Sequence, residues 1–353
     1  MDCPHKHNLP SDGTPLSPSP TLDHWRDSSA LTSLSFPDGH EGLIALRQEI
    51  SQEVLMDIRF SQQPHRFPGL APRQTPEEFI DERDELAITT ADLLALDGEQ
   101  HRKCRKTVTS KFSFKAVNSY SEAVSALVSR QLSHFLNQPQ PVDLTEHFSE
   151  PISIANHAFV LGIPQSMVKE FERTFVGSVT REERITYLRQ VYQYKLENPG
   201  EDVISHLIQS ELTQAEVEGL IYVFFTSGRD SVAYMISTGM LALLQNPDQL
   251  DLLRSNLPVS AEAIEELMRF CAMFVTLFPR TALEDVEIDG YKIAAGQSIS
   301  VSPVAVNRDP RIWDEPNSLK LNRELKAHLS FGHGIHGCCL LYTSDAADEE
   351  DSV

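Results

Sequence analysis

Phe331-Gly332-His333-Gly334-Ile335-His336-Gly337-Cys338 places a cysteine at the end of a glycine-rich turn, with a histidine two residues before it. Glycine lets a backbone turn sharply and approach a bound group closely. Backbone N–H groups gathered around a sulfur there stabilise negative charge and favour the thiolate. A thiolate so placed is a strong ligand for a soft metal. Two other readings of these residues stay open. The loop can hold an inert buried cysteine, or His336, Cys338 and Cys339 can be zinc ligands. A zinc site usually draws on a second cysteine pair, and the remaining cysteines, Cys3, Cys104 and Cys271, are isolated.

Outward from the loop, Glu266-Leu267-Met268-Arg269 puts an acid and a base at i, i+3 on a helix predicted after Ser260, spaced to pair. Thr213-Gln214-Ala215-Glu216 is a capping box. It predicts one long helix from there to Leu244, stopped by Asn246-Pro247. That helix is apolar on most sides, which predicts a path through a core. Its middle nevertheless reads Thr226-Ser227-Gly228-Arg229-Asp230-Ser231. Glycine inside a helix costs roughly 1 kcal/mol relative to alanine, and a buried acid costs more unless it is paired. The segment is either a packing notch beside a paired acid or a site. Asp97 to Arg105 begins another helix, with His101 and Arg105 at i, i+4 on one face. These, like Arg280 in Phe278-Pro279-Arg280-Thr281-Ala282, read individually as surface cations.

After residue 280 the pattern turns toward strands. Val286 to Ile288 and Tyr291 to Ile293 flank Asp289-Gly290, a strong hairpin signal. Ser298 to Val306 alternates in part and predicts another strand. The fold class is mainly α with a minor β region.

Phe331, Gly334, His336 and Cys338 resemble the haem-binding loop of the cytochrome P450 family, F-x-x-G-x-(R/H)-x-C-x-G. The last glycine of that pattern falls at Leu340. Gly228, Asp230 and Ser231 resemble the family's (A/G)-G-x-(D/E)-(T/S) element, with Ser231 where threonine is commoner. The resemblance implies that Cys338 is the proximal iron ligand, as thiolates are in this family. It implies that Gly228 leaves room for O2, and that Asp230 and Ser231 deliver protons. His101, Arg105, Arg280 and His336 become partners of the haem propionates, and Glu266–Arg269 a structural pair beneath the cysteine loop. A third partner of that pair is expected in a P-x-(R/H)-(F/L) segment. Pro316-Asn317-Ser318-Leu319 puts Ser318 there, so the partner is absent or comes from elsewhere, for example Arg308. Phe224 to Thr226 and Phe274 to Phe278 fall near the implied substrate pocket, or are ordinary core.

The implied fold is that of cytochrome P450 without its C-terminal part. Residues 1–35, with Pro10, Pro15, Pro18 and Pro20, read as a loose leader, and Pro64 to Pro76 as a loop. Residues 36–338 read as a single haem-binding domain. Residues 339–353 resemble a translated sequencing adapter and are expected to be a non-native tail. The net charge is −21, and five acids of that tail account for part of it, leaving −16. Such a balance argues against nucleic acid as a partner. No disulfide framework, no signal peptide and no apolar run of membrane length is legible, so no membrane anchor is expected and the cytoplasm is the simplest location.

The resemblance implies a haem-thiolate monooxygenase. It would insert one oxygen atom from O2 into a small, apolar organic substrate. The implied cofactor is haem b, with electrons from NAD(P)H passed on by a ferredoxin-type donor and its reductase. Alternatives are a peroxide-using peroxygenase, a non-catalytic haem-binding or sensing protein, and an inactive fragment.

Overall fold

The structure, a computed structural model, describes residues 7–36, 39–63, 93–177 and 179–339. Leu340 with the rest of the tail, and the loop expected from Pro64 to Pro76, lie outside the described residues. In chain order the elements are α1 (Pro20–Ser28), β1 (Leu31–Ser35), β2 (Glu41–Ala45), α2 (Gln48–Met56), β3 (Phe60–Ser61), α3 (Gly98–Thr109), α4 (Phe114–Leu136), α5 (Glu150–Leu161), α6 (Val168–Phe175), α7 (Arg181–Glu197), α8 (Val203–Ile208), α9 (Gln214–Thr226), α10 (Arg229–Gln245), α11 (Pro247–Ser255), α12 (Ala261–Phe270), β4 (Arg280–Ala282), β5 (Val286–Ile288), β6 (Tyr291–Ile293), β7 (Ser298–Val301) and α13 (Pro303–Val306). The fold is mainly helical with a small β region, as expected. The described residues form two compact units, one from residues 7–63 and 235–338, the other from residues 93–234 and 339.

The first unit is built on a five-stranded sheet of order β1-β2-β7-β4-β3. β2 and β7 run parallel, with Gly42 opposite Ser298, and the other pairs are antiparallel. Ala45, Ile299 and Val301 join a buried cluster with Val286 and Ile288, while Leu34 and Ile44 pack with Trp25 of α1. The expected hairpin is present, with Ile288 paired to Tyr291. Ser298 to Val306 divides: the strand ends at Val301, and Ser302 then caps α13, with Pro303 in its first turn. The leader is not loose throughout. Ser19 caps α1 and Pro20 occupies its first position, where proline starts a helix rather than breaking one. Leu22 and Trp25 are buried, and buried Arg26 donates to the Ala305 and Arg308 carbonyls at 3.0 and 3.1 Å.

The second unit packs α3 and α5 to α9 around an aromatic core in which Phe171, Phe175, Tyr187 and Phe225 lie ring against ring. The capping box at the start of α9 forms as expected, and its Glu216 also reaches α3. Lys103 Nζ and Gln100 Nε2 each donate to Glu216 at 2.7 Å. Burial alone raises this carboxyl, but these bonds and those from Thr213 hold it down at about 2. The helix that carries His101 and Arg105 is thereby tied to α9.

The single helix expected from Thr213 to Leu244 is broken. α9 ends at Thr226, Ser227 is extended (φ −114°, ψ 152°), and Gly228 adopts φ 93° before α10 begins. A side chain at 228 would strain against that backbone, so the glycine sets where the break falls.

Candidate active site

The Glu266–Arg269 pair forms on the last turns of α12, and both side chains are almost wholly buried. Arg269 grips Glu266 through two bonds, Nε at 2.7 Å and Nη2 at 2.8 Å. Its remaining N–H groups reach the carbonyls of Asn307 (2.7 Å), Pro316 (2.9 Å) and Ser318 (3.3 Å). The third partner is Arg323, whose Nε donates to Glu266 at 2.9 Å. Arg308, the suggested substitute, is buried elsewhere: it stacks 3.9 Å over the Phe270 ring and donates to the Phe270 carbonyl at 2.8 Å. Asn307 carries the cluster on toward the cysteine. Its side chain accepts from Leu329 N (2.9 Å) and donates to Ser330 Oγ (2.8 Å), and Ser330 Oγ donates to the Met268 carbonyl (2.7 Å).

Those contacts lead directly into the cysteine loop. Gly334 to His336 form one 3-10 turn, closed by Gly337 N donating to the Gly334 carbonyl at 2.8 Å. Cys338 N donates to the Phe331 carbonyl at the same distance, which brings the two ends of the octapeptide together. Gly334 has φ 70°, and a Cβ there would stand 2.7 Å from the Leu55 carbonyl at the end of α2. No larger residue fits without moving the loop. His333 Nε2 lies 3.2 Å from Met56 Sδ on the same helix end.

The cysteines divide by environment. Cys104 and Cys271 are fully buried, and burial pushes each thiol up to about 11. Such groups are structural. Cys338 is a free, half-buried thiol at the end of a glycine turn. Arg280, on β4, is a guanidinium buried at 2 % exposure in the same unit. A soft sulfur donor and a buried cation suit an iron porphyrin, which needs an axial ligand and partners for two carboxylates.

Gly228, Asp230, Ser231, His101 and Arg105 belong to the second unit; Phe331, Gly334, His336, Cys338, Arg280, Glu266 and Arg269 belong to the first. His101 is buried and Arg105 half-buried on α3. The acid expected inside a buried helix is not buried: the Asp230 side chain is 66 % exposed and pairs with Arg229. The break explains this, because Val217 to Phe225 are buried while Thr226 to Val232 are exposed or half-exposed. Ser231 Oγ donates to the Gly228 carbonyl at 3.3 Å. Phe224 and Phe225 are core residues, packed against Phe112 and Phe175 respectively. Phe274, Val275 and Phe278 by contrast expose their apolar side chains.

One residue beside the break was not expected. His157, on α5, is buried and bonds the Phe224 carbonyl at 2.6 Å. Burial pushes its imidazole down to about 4, against the hydrogen bond and with help from the Arg229 charge. It is therefore neutral in the fold at neutral pH, whereas an unfolded histidine titrates near 6.5. Between about pH 6.5 and pH 4 the unfolded chain binds the extra proton, so stability falls as pH falls through that window. We expect this group to remove on the order of 2 kcal/mol between pH 7 and pH 4.5. Urea midpoints at the two pH values check this, with His157→Gln losing that share of the difference. An equal difference in the variant would refute the assignment.

Comparison with known proteins bears on the family and the fold. A model of the cytochrome P450 family matches residues 155–339. The chain is 28% identical over 334 residues to cytochrome P450 105C1 of a Streptomyces species, covering 91% of this chain and 82% of that one. It is 29% identical over 319 residues to nocardicin C N-oxygenase of Nocardia uniformis subsp. tsuyamanensis, covering 86% and 78%. Among solved structures it is similar to the cytochrome P450 MoxA from Nonomuraea recticatena, with a TM-score of 0.83 and 27% identity over 95% of this chain and 86% of that one. Among the described residues no helix is long and apolar enough to cross a membrane.

Proposed function

Because the chain belongs to the cytochrome P450 family, a family of haem-dependent monooxygenases, we propose that it oxidises a small, apolar organic substrate with Cys338 as the proximal ligand. The net reaction is RH + O2 + NAD(P)H + H+ → ROH + NAD(P)+ + H2O. The electrons pass through a ferredoxin-type donor and its reductase, and the protein acts in the cytoplasm. The observation that carries the reading is the cysteine loop: the half-buried free thiol, closed on Phe331 and pressed on α2 through Gly334, is the sulfur suited to ligation.

Haem b, when bound, would supply the activation of O2, and the Cys338 thiolate would hold its iron. The chain's own residues supply the rest. Arg280, His101, Arg105 and His336 would hold the propionates through charge-assisted bonds. Phe274, Val275 and Phe278 offer apolar surface to the substrate. The exposed Asp230 carboxylate takes a proton from solvent and passes it to the Ser231 hydroxyl, which, released from the Gly228 carbonyl, gives its own proton onward, so both groups return to their starting states. This pair favours O2 over peroxide as the oxidant, because a peroxide-driven reaction arrives with its protons in place. Residues 36–338, with α1 and β1 packed into the same sheet and core, are the haem-binding part of the chain.

Asp230→Asn and Ser231→Ala test the proton assignment. With 7-ethoxycoumarin as probe substrate and a surrogate ferredoxin and reductase, each should leave the haem spectrum intact. Dealkylated product per NADPH should fall by roughly tenfold or more, with the missing electrons recovered as peroxide. Unchanged product yield in both variants would withdraw the assignment.

A further inference from the structure

A broken helix frees backbone groups that the intact ladder would satisfy. In a continuous helix the Phe224 carbonyl would accept from the N–H of residue 228. The turn at Ser227 and Gly228 takes that residue out of helical geometry. The acceptor is met instead from the side, by His157 Nε2 at 2.6 Å. A carbonyl oxygen can only accept, so Nε2 carries the proton in this tautomer. Four residues earlier on the same face of α5, Ser153 Oγ donates to the Arg229 carbonyl at 2.5 Å. Ser153 is 1 % exposed and His157 9 % exposed. One buried helix face thus bonds the backbone on both sides of the break, three residues before Ser227 and one residue after Gly228.

We propose that His157 and Ser153 are positioning residues that hold the break between α9 and α10 and thereby set where Asp230 and Ser231 stand. The catalytic half of this statement rests on the proton-delivery reading above; the structural half does not. Ring contact fixes the donor as well: His157 stacks on Phe171 at 5.9 Å between centroids, within the aromatic core. The imidazole cannot swing away without disturbing that cluster. Glycine at 228 permits the break, and the two α5 donors make one geometry of it preferable.

The test uses the full chain and three variants, with hydrogen exchange of residues 224 to 232 as the first readout. His157→Phe keeps an aromatic ring and removes the donor, Ser153→Ala removes the hydroxyl, and His157→Gln keeps an N–H donor. Exchange across the segment should speed up about tenfold in the first two and return toward the parent rate in His157→Gln. Amides of Leu188 and Val191 in the core of α7 should be unmoved in all three. Equal rates in all four proteins would overturn the proposal, as would acceleration in His157→Gln matching that in His157→Phe. Coupling is the second readout, with 7-ethoxycoumarin and NADPH. Product per NADPH should fall severalfold in His157→Phe and Ser153→Ala and recover in His157→Gln. If exchange responds as stated but coupling is unchanged, here and in Asp230→Asn and Ser231→Ala, the proton-delivery reading fails and the structural clamp stands. If coupling falls in Asp230→Asn but not in the α5 variants, positioning is refuted.

Discussion

Arg269→Leu should destabilise the first unit by about 3–5 kcal/mol, the cost of taking one cation from a buried ion-pair cluster together with the donors of three backbone carbonyls. Arg269 is 1 % exposed and uses all its N–H groups, on Glu266 and on three backbone carbonyls. Removing it leaves Glu266, itself 3 % exposed, with Arg323 and Lys320 N alone. It also leaves the Asn307, Pro316 and Ser318 carbonyls short of a donor. Arg269→Lys should recover little, because an ammonium offers three donors from a point and cannot reproduce the fork. The fluorescence of tryptophan reads this unit, since both tryptophans, Trp25 and Trp313, lie within it. Trp313 stands 5.1 Å from the Arg269 guanidinium. A urea-midpoint change equivalent to less than about 1 kcal/mol would show that the cluster is not what holds this part of the fold. Because Asn307 joins the cluster to Leu329 and Ser330, haem uptake should fall with stability.

Cys338→Ala should remove activity by a factor on the order of a thousand, a barrier increase of about 4 kcal/mol, while leaving the apoprotein folded. The side chain is only half-buried, so its loss should cost about 1 kcal/mol or less. The loop keeps its closure in the variant, since the bond to the Phe331 carbonyl comes from the backbone N–H. Cys104→Ala is the control. It removes a fully buried thiol from the core, should cost stability, and should leave the ligand untouched. Retained activity in Cys338→Ala would move the ligand to another residue, and loss of the thiolate spectrum in Cys104→Ala would do the same.

The features legible in the sequence were those carried by a few adjacent residues. Asp289-Gly290 between short alternating runs became the β5–β6 hairpin, and Thr213 with Glu216 became a capping box whose two halves close within four residues. The cysteine loop was legible for the same reason. Misreadings arose where neighbours in space are distant in the chain. Arg323 meets Glu266 across 57 residues, and an arginine in a polar stretch carries no mark of its partner. His157 sits in the apolar run Ile152 to Leu161, where a lone histidine reads as a core residue; its role depends on a carbonyl freed 67 residues later. Gly228 announced a disturbance in the long helix, but propensity alone could not separate a tolerated glycine from a full break. The leader was misread because Pro20 signals a helix start as readily as a loop.

The measurement that reaches the central claim most directly is the absorption spectrum of the haem-loaded protein, reduced and bound to carbon monoxide. Thiolate ligation by Cys338 predicts the strongly red-shifted Soret band of a thiolate-ligated haem, absent in Cys338→Ala. An unshifted band of the histidine-ligated kind, or a red-shifted band that survives in Cys338→Ala, would contradict it.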